Sequence, residues 1–135
     1  MPGWVAAAAV VLALLAGGAV GGWIGRETAP AAAPVPTEPI SLSAAAASGV
    51  TVESADLVAH TWGVELRVEA AGFAEGRTFR ASFRTEDGRL TPAGEFLGVG
   101  EASMTCFLQS AALREDVTEV VVTNQRGRTV LAAAL

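Results

Sequence analysis

Two hydrophobic rhythms divide this chain. From Trp4 to Gly25 every side chain is apolar or absent, with no charged position to break the run. Such a stretch predicts a helix that is hydrophobic all round. At 1.5 Å per residue, about 20 residues cover the ~30 Å hydrocarbon core of a bilayer. After Gly49 the period becomes two, the mark of half-buried strands. Val50-Thr51-Val52 opens a first strand. Trp62, Val64, Leu66 and Val68 then alternate with Gly63, Glu65, Arg67 and Glu69, and Phe79, Ala81 and Phe83 alternate with Arg80, Ser82 and Arg84. The apolar set of each run, Trp62 included, is expected to face the core.

The remaining strands follow from turn signals. Glu86-Asp87-Gly88-Arg89 predicts a hairpin turn in which Gly88 takes positive φ. Leu90 to Val99 predicts an irregular strand, and Pro92 assigns it to an edge or a bulge. Glu101 to Gln109 follows, with Met104, Cys106 and Leu108 on one face. Ala111 to Asp116 predicts one helical turn, and Val117 to Thr123 a buried strand. Asn124-Gln125-Arg126-Gly127 turns the chain into a last strand from Arg128 to Leu135. The expectation is an all-β domain over 49–135, a seven-stranded antiparallel sandwich of immunoglobulin-like type.

Between helix and sandwich, residues 26–48 contain Pro30, Pro34, Pro36 and Pro39 among alanines. Repeated proline removes backbone donors and favours extended polyproline-like chain, so this stretch reads as a spacer. Residues 1–25 are expected to remain as a single-pass anchor, with Trp4 and Trp23 at the two bilayer interfaces. The alternative is a secretory signal cleaved near Ala29-Pro30-Ala31, although Met1-Pro2-Gly3 lacks a basic side chain. Arg26 after the span gives the positive-inside rule little to act on. The Ala/Pro spacer and the Lys-free β-domain favour an extracytoplasmic C-terminal domain. Gly17, Gly21 and Gly25 lie four apart on one helix face and would let a second helix approach closely, as in a homodimer.

Composition narrows the chemistry. The chain has 135 residues and a formal net charge of −5, and all nine basic residues are Arg. An acidic balance without a basic stripe argues against a nucleic-acid partner. The single cysteine, Cys106, cannot close an internal disulfide or build a thiolate zinc site, and is expected as a small buried hydrophobe. His60 is the sole histidine and the one acid–base candidate, but no nucleophile or second carboxylate is arranged around it in sequence, so catalysis is not expected. Asp56, Asp87 and Asp116 lack calcium-loop spacing. Gly98-Val99-Gly100 lacks the third glycine and the strand-to-helix setting of a phosphate loop. No cofactor or metal is expected. Glu65, Arg67, Glu69, Arg80 and Arg84 are expected to form a charged sheet face, the candidate surface for a protein partner, with cross-strand pairs worth a few tenths of a kcal/mol each.

Thr61-Trp62-Gly63-Val64-Glu65-Leu66, Gly72, Gly76, Asp87-Gly88-Arg89 and Gly127-Arg128-Thr129-Val130-Leu131 together resemble the extracytoplasmic domain of bacterial membrane-bound anti-sigma factors. The resemblance spans Ala59 to Leu131 and extends to the order of anchor, spacer and domain. It implies a sensor or partner-docking module in envelope signalling and transcription regulation. In that family a cytoplasmic zinc-bearing half precedes the anchor and holds the sigma factor. The residues before Trp4 contain no counterpart, so no sigma-binding residue carries over. Two origins stay open, a longer chain starting upstream or a stand-alone relative. The other functional expectation is a structural or adhesive envelope module that binds another exported protein through a sheet edge or charged face.

Overall fold

The computed structural model describes residues 33–135. The expected membrane-spanning helix over 1–25, its glycines Gly17, Gly21 and Gly25, and the first part of the spacer lie outside the described residues.

Nine strands account for almost all regular structure among the described residues. They are β1 (Glu38–Pro39), β2 (Ser43–Ala44), β3 (Thr51–His60), β4 (Gly63–Ala71), β5 (Thr78–Thr85), β6 (Leu90–Leu97), β7 (Met104–Ser110), β8 (Val117–Thr123) and β9 (Thr129–Ala134). The expected helical turn is a 3-10 turn at Arg114–Asp116. All pairings are antiparallel. They build a four-stranded sheet in the order β1-β3-β4-β7 and a five-stranded sheet in the order β2-β9-β8-β5-β6.

The alternation in the sequence supplies the core between the sheets. Val64, Leu66, Val68 and Ala70 from β4 meet Phe79, Ala81 and Phe83 from β5, with Val120, Val122 and Leu131 beside them in one cluster. Phe73 packs edge-on to Phe79 and Phe96, with ring centroids 4.9 Å apart in both pairs. Edge-to-face aromatic pairs gain about 0.5–1.5 kcal/mol beyond their buried area. Gly88 takes φ +83° in the β5–β6 hairpin, where an L side chain would be strained. β6 is an edge strand, and its register with β5 jumps from Ala81↔Gly94 to Ser82↔Pro92, so Ala93 is the bulged residue beside the proline.

Three elements differ from the sequence-based expectation. First, β3, for which only the opening Val50-Thr51-Val52 was expected and no end was assigned, runs from Thr51 to His60. Its inward Ala55 and Leu57 alternate with outward Ser54 and Asp56, but small alanines and an apolar outward Val58 blur the period. Second, Trp62 is not a core residue. It sits in the β3–β4 turn and is 52% exposed, because β4 begins at Gly63 and Val64 is the first inward side chain. Third, the expected spacer over 26–48 contributes to both sheets. Glu38–Pro39 pairs with β3, and Ser43–Ala44 pairs with β9. Between them Leu42 is 7% exposed and belongs to the core, and Ile40 packs against it. Arg114 holds Glu38 with two hydrogen bonds of 2.7 Å, from Nε to Oε2 and from Nη2 to Oε1. Ile40 and Leu42, two residues apart, carry the period-two signal inside a proline-rich stretch.

Leu42 separates a domain strand from a free spacer. Leu42→Ala should cost about 2–5 kcal/mol in chemical denaturation, the usual range for a buried Leu→Ala. A spacer residue would leave the midpoint unchanged.

Candidate recognition surface

Because β4 alternates strictly, the side chains between its core residues all emerge on the other side of the four-stranded sheet. The register puts Glu65 opposite Val58 and Gln109, Arg67 opposite Asp56 and Phe107, and Glu69 opposite Ser54 and Thr105. Three strands therefore present one outward face, capped at one end by the His60–Trp62 turn. At that end the backbones crowd closely: a Cβ on Gly63 would lie 1.9 Å from the carbonyl oxygen of Ser110. Only glycine fits there.

Glu65 is the centre of this face. It is 6% exposed although it points away from the core. Arg67 Nε donates to its Oε1 at 2.5 Å, and Gln109 Nε2 donates to its Oε2 at 3.0 Å. His60 Nε2 lies 3.4 Å from the same Oε2. The Arg67 hydrogen bond holds the Glu65 carboxyl below the ordinary glutamate range. Burial opposes that shift, while Gln109, the Arg67 charge and His60 add to it. Val58, next to Glu65 in register, is fully buried and stands apart from the intersheet cluster, so the outer surface is itself packed at this point.

Two large aromatics flank the polar centre. Trp62 stacks on the His60 ring, with centroids 4.4 Å apart and planes 9° from parallel. Phe107 is 61% exposed, and the Arg67 guanidinium lies 5.7 Å from its ring centroid. A cation over an exposed ring contributes about 0.5–1 kcal/mol. Arg67 thus links carboxylate and aromatic and holds both in place.

The five charged residues expected on one face fall into two groups. Glu65, Arg67 and Glu69 share the outer face of the four-stranded sheet. Arg80 and Arg84 lie on β5, in the other sheet, and point away from the core on its far side. There Arg80 Nη2 bonds Glu95 at 2.6 Å and Arg84 Nε bonds Glu119 at 2.8 Å. Alternation decides inward or outward, but it does not decide which sheet a strand joins. Surface pairs of this kind contribute about 0–1 kcal/mol each.

The other candidates resolve simply. Cys106 is buried on the inward side of β7 and unpaired, and burial pushes its thiol pKa up. Asp87 is tied to Thr85 and Arg89 within its own hairpin turn. Among the described residues no group of three or more His, Cys, Asp or Glu side chains could hold a metal ion. The imidazole of His60 hydrogen-bonds to Glu65, whose oxygens are already engaged by Arg67 and Gln109, and among the described residues no hydroxyl or thiol hydrogen-bonds to the ring. This arrangement offers a contact surface, with donors, acceptors and aromatic faces. Phe107 and Gln109 join the face without being expected there. Their odd-numbered positions, alternating with Met104, Cys106 and Leu108 on the same strand, are the signal that places them outward. No protein-family model, curated protein or solved structure matches this chain.

Two measurements follow from this geometry. Since the folded-state pKa of Glu65 is depressed, its carboxylate adds stability above its ordinary value of 4.5, and that stability is lost as pH falls through the lower folded value. Glu65→Gln should therefore lower neutral-pH stability by about 1.5–3 kcal/mol, the range for a charged hydrogen bond, and flatten the acid limb of the stability curve. An acid limb as steep as that of wild type would rule out this role. Cys106 should resist an aromatic disulfide reagent in the folded protein and react fully in denaturant; fast reaction in native buffer would contradict its burial.

Proposed function

We propose that this chain is a membrane-anchored extracytoplasmic binding module, without catalytic activity, that docks another envelope protein through the outer face of β3, β4 and β7. Its sandwich is of immunoglobulin-like type. The role is that of a sensor or regulatory domain resembling the external half of a membrane-bound anti-sigma factor. The observation that supports this reading most is the pairing of exposed aromatics with a satisfied polar centre. Trp62 and Phe107 stay largely exposed on a rigid face whose buried carboxylate already has its partners. Protein interfaces are enriched in aromatic residues and Arg, and their strongest contacts are aromatic and Arg anchors in pre-set positions. The uncharged run from Trp4 to Gly25 supports the anchor, and the Ala/Pro stretch before Glu38 supports a domain held off the bilayer.

One labelling experiment tests placement and face together. Trp62→Cys puts a thiol on the face, and Arg126→Cys puts one in the exposed β8–β9 turn, while native Cys106 stays silent. With a membrane-impermeant maleimide on intact cells, the Arg126→Cys chain should label rapidly. The Trp62→Cys chain should label several-fold more slowly in cells than after purification, because the partner covers it. Failure of both in intact cells would overturn the extracytoplasmic placement. Equal rates for Trp62→Cys in cells and in pure protein would overturn the partner face.

A further inference from the structure

Exposed sheet edges attract other strands, so they are ordinarily short, bulged, charged or interrupted by proline. Three of the four edges among the described residues follow that rule. β1 and β2 are two residues long, and β1 ends in Pro39. β6 carries Pro92 and the bulge at Ala93. β7 breaks the rule. It is seven residues long, Met-Thr-Cys-Phe-Leu-Gln-Ser, with no proline, glycine or charged side chain. Its register with β4 runs from Val64↔Ser110 to Ala70↔Met104 without a shift. It is also the terminal strand of its sheet.

We propose that β7 is the contact with a second copy of this chain, two β7 strands pairing antiparallel about a two-fold axis through Phe107. A two-fold contact uses the same patch on both subunits, so the strand must read compatibly against its own reverse. It does. With Phe107 opposite the partner's Phe107, Thr105 meets the partner's Gln109, Cys106 meets the partner's Leu108, and Met104 meets the partner's Ser110. The pairs at the centre are aromatic on aromatic, hydroxyl beside amide, and apolar on apolar, with no like charges opposed, which is what stabilises neighbouring strands. Charge favours the same occupant. Each chain carries a net −5, yet the seam is neutral, so two copies meet there without direct repulsion. The pairing leaves Phe107, 61% exposed in the single chain, against its symmetry mate. The two four-stranded sheets become one of eight strands, and their outer faces become continuous. The dimer shares Phe107 with the proposed docking face, whereas Trp62 sits in the β3–β4 turn and not on β7, so Trp62 reports on the docking face separately.

The test uses the full-length chain in mild detergent. Light scattering should give a dimer for wild type and a monomer for Phe107→Lys and for Phe107→Glu separately. An equimolar mixture of the two variants should restore the dimer, because opposite charges then meet on the axis. In a Cys106→Ser background, Phe107→Cys should cross-link on mild oxidation several-fold faster than Thr105→Cys, whose symmetry mate would lie about 14 Å away at 3.4 Å per residue. The cross-link also serves if a charged variant fails to fold. A wild-type monomer, or cross-linking at Thr105→Cys equal to that at Phe107→Cys, would overturn the proposal. So would a dimer that survives Phe107→Lys without the Phe107→Cys cross-link, since the contact would then lie elsewhere, as in the N-terminal helix. Loss of partner protection at Trp62 with this dimer intact would bear only on the docking face.

Discussion

The two-residue period of β4 is the constraint from which both the core and the surface follow. The same nine residues carry Val64, Leu66, Val68 and Ala70 into the intersheet cluster and Glu65, Arg67 and Glu69 to the other side. A slip of one residue would exchange the two sets and bury charged side chains in the core. An unpaired buried charge costs several kcal/mol, more than repacking around it could offset, so the register is fixed by what cannot be moved inward. The flanking strands inherit that decision. Once β4 is set, β3 must show Asp56 and His60 outward, and β7 must show Phe107 and Gln109.

The polar centre then follows from burial. Glu65 lies between two strands and is nearly out of water, so its oxygens need donors from within the protein. Arg67, two residues on along the same face, and Gln109, directly across, supply them. No buried side-chain nitrogen or oxygen among the described residues lacks a partner. Such a network costs little entropy to present to a ligand, because its side chains are already held. The aromatics add area without adding freedom: Trp62 rests on His60, and Phe107 lies under Arg67.

Much of this was legible in the residues. The all-β class, strands β4, β5 and β8, the β5–β6 hairpin at Gly88 and the edge position of β6 all follow from alternation and turn chemistry. The sheet partners did not, because which strands pair depends on contacts far apart in sequence. Arg80 and Arg84 show the consequence: outward as expected, but on the opposite sheet from Glu65. Trp62 shows a second limit. It continues the alternating run on paper, yet it lies in the turn and the strand begins one residue later, and a strand boundary decides whether a large aromatic is core or surface. The strands at Glu38–Pro39 and Ser43–Ala44 were hidden by composition. Prolines and alanines signal free chain, while Leu42 and the Arg114–Glu38 bonds draw the segment into the domain.

That N-terminal strap also explains how so small a domain keeps its sheets in register with each other. A domain of this size buries only about 60% of its unfolded surface, so each additional tie matters. Strand pairing within a sheet does nothing to fix one sheet over the other; only the core and the chain crossings do. Between Pro39 and Ser43 the strap passes from the edge of one sheet to the edge of the other and drops Leu42 into the core on the way. In doing so it pairs with β3 at Asp56 and Leu57 and with β9 at Leu131 and Ala132. On the opposite side β6 protects itself by bulge and proline, and β7 alone stays regular. The terminal strand of the four-stranded sheet and the aromatic-bearing face thus coincide in β7, with Phe107 at the corner they share.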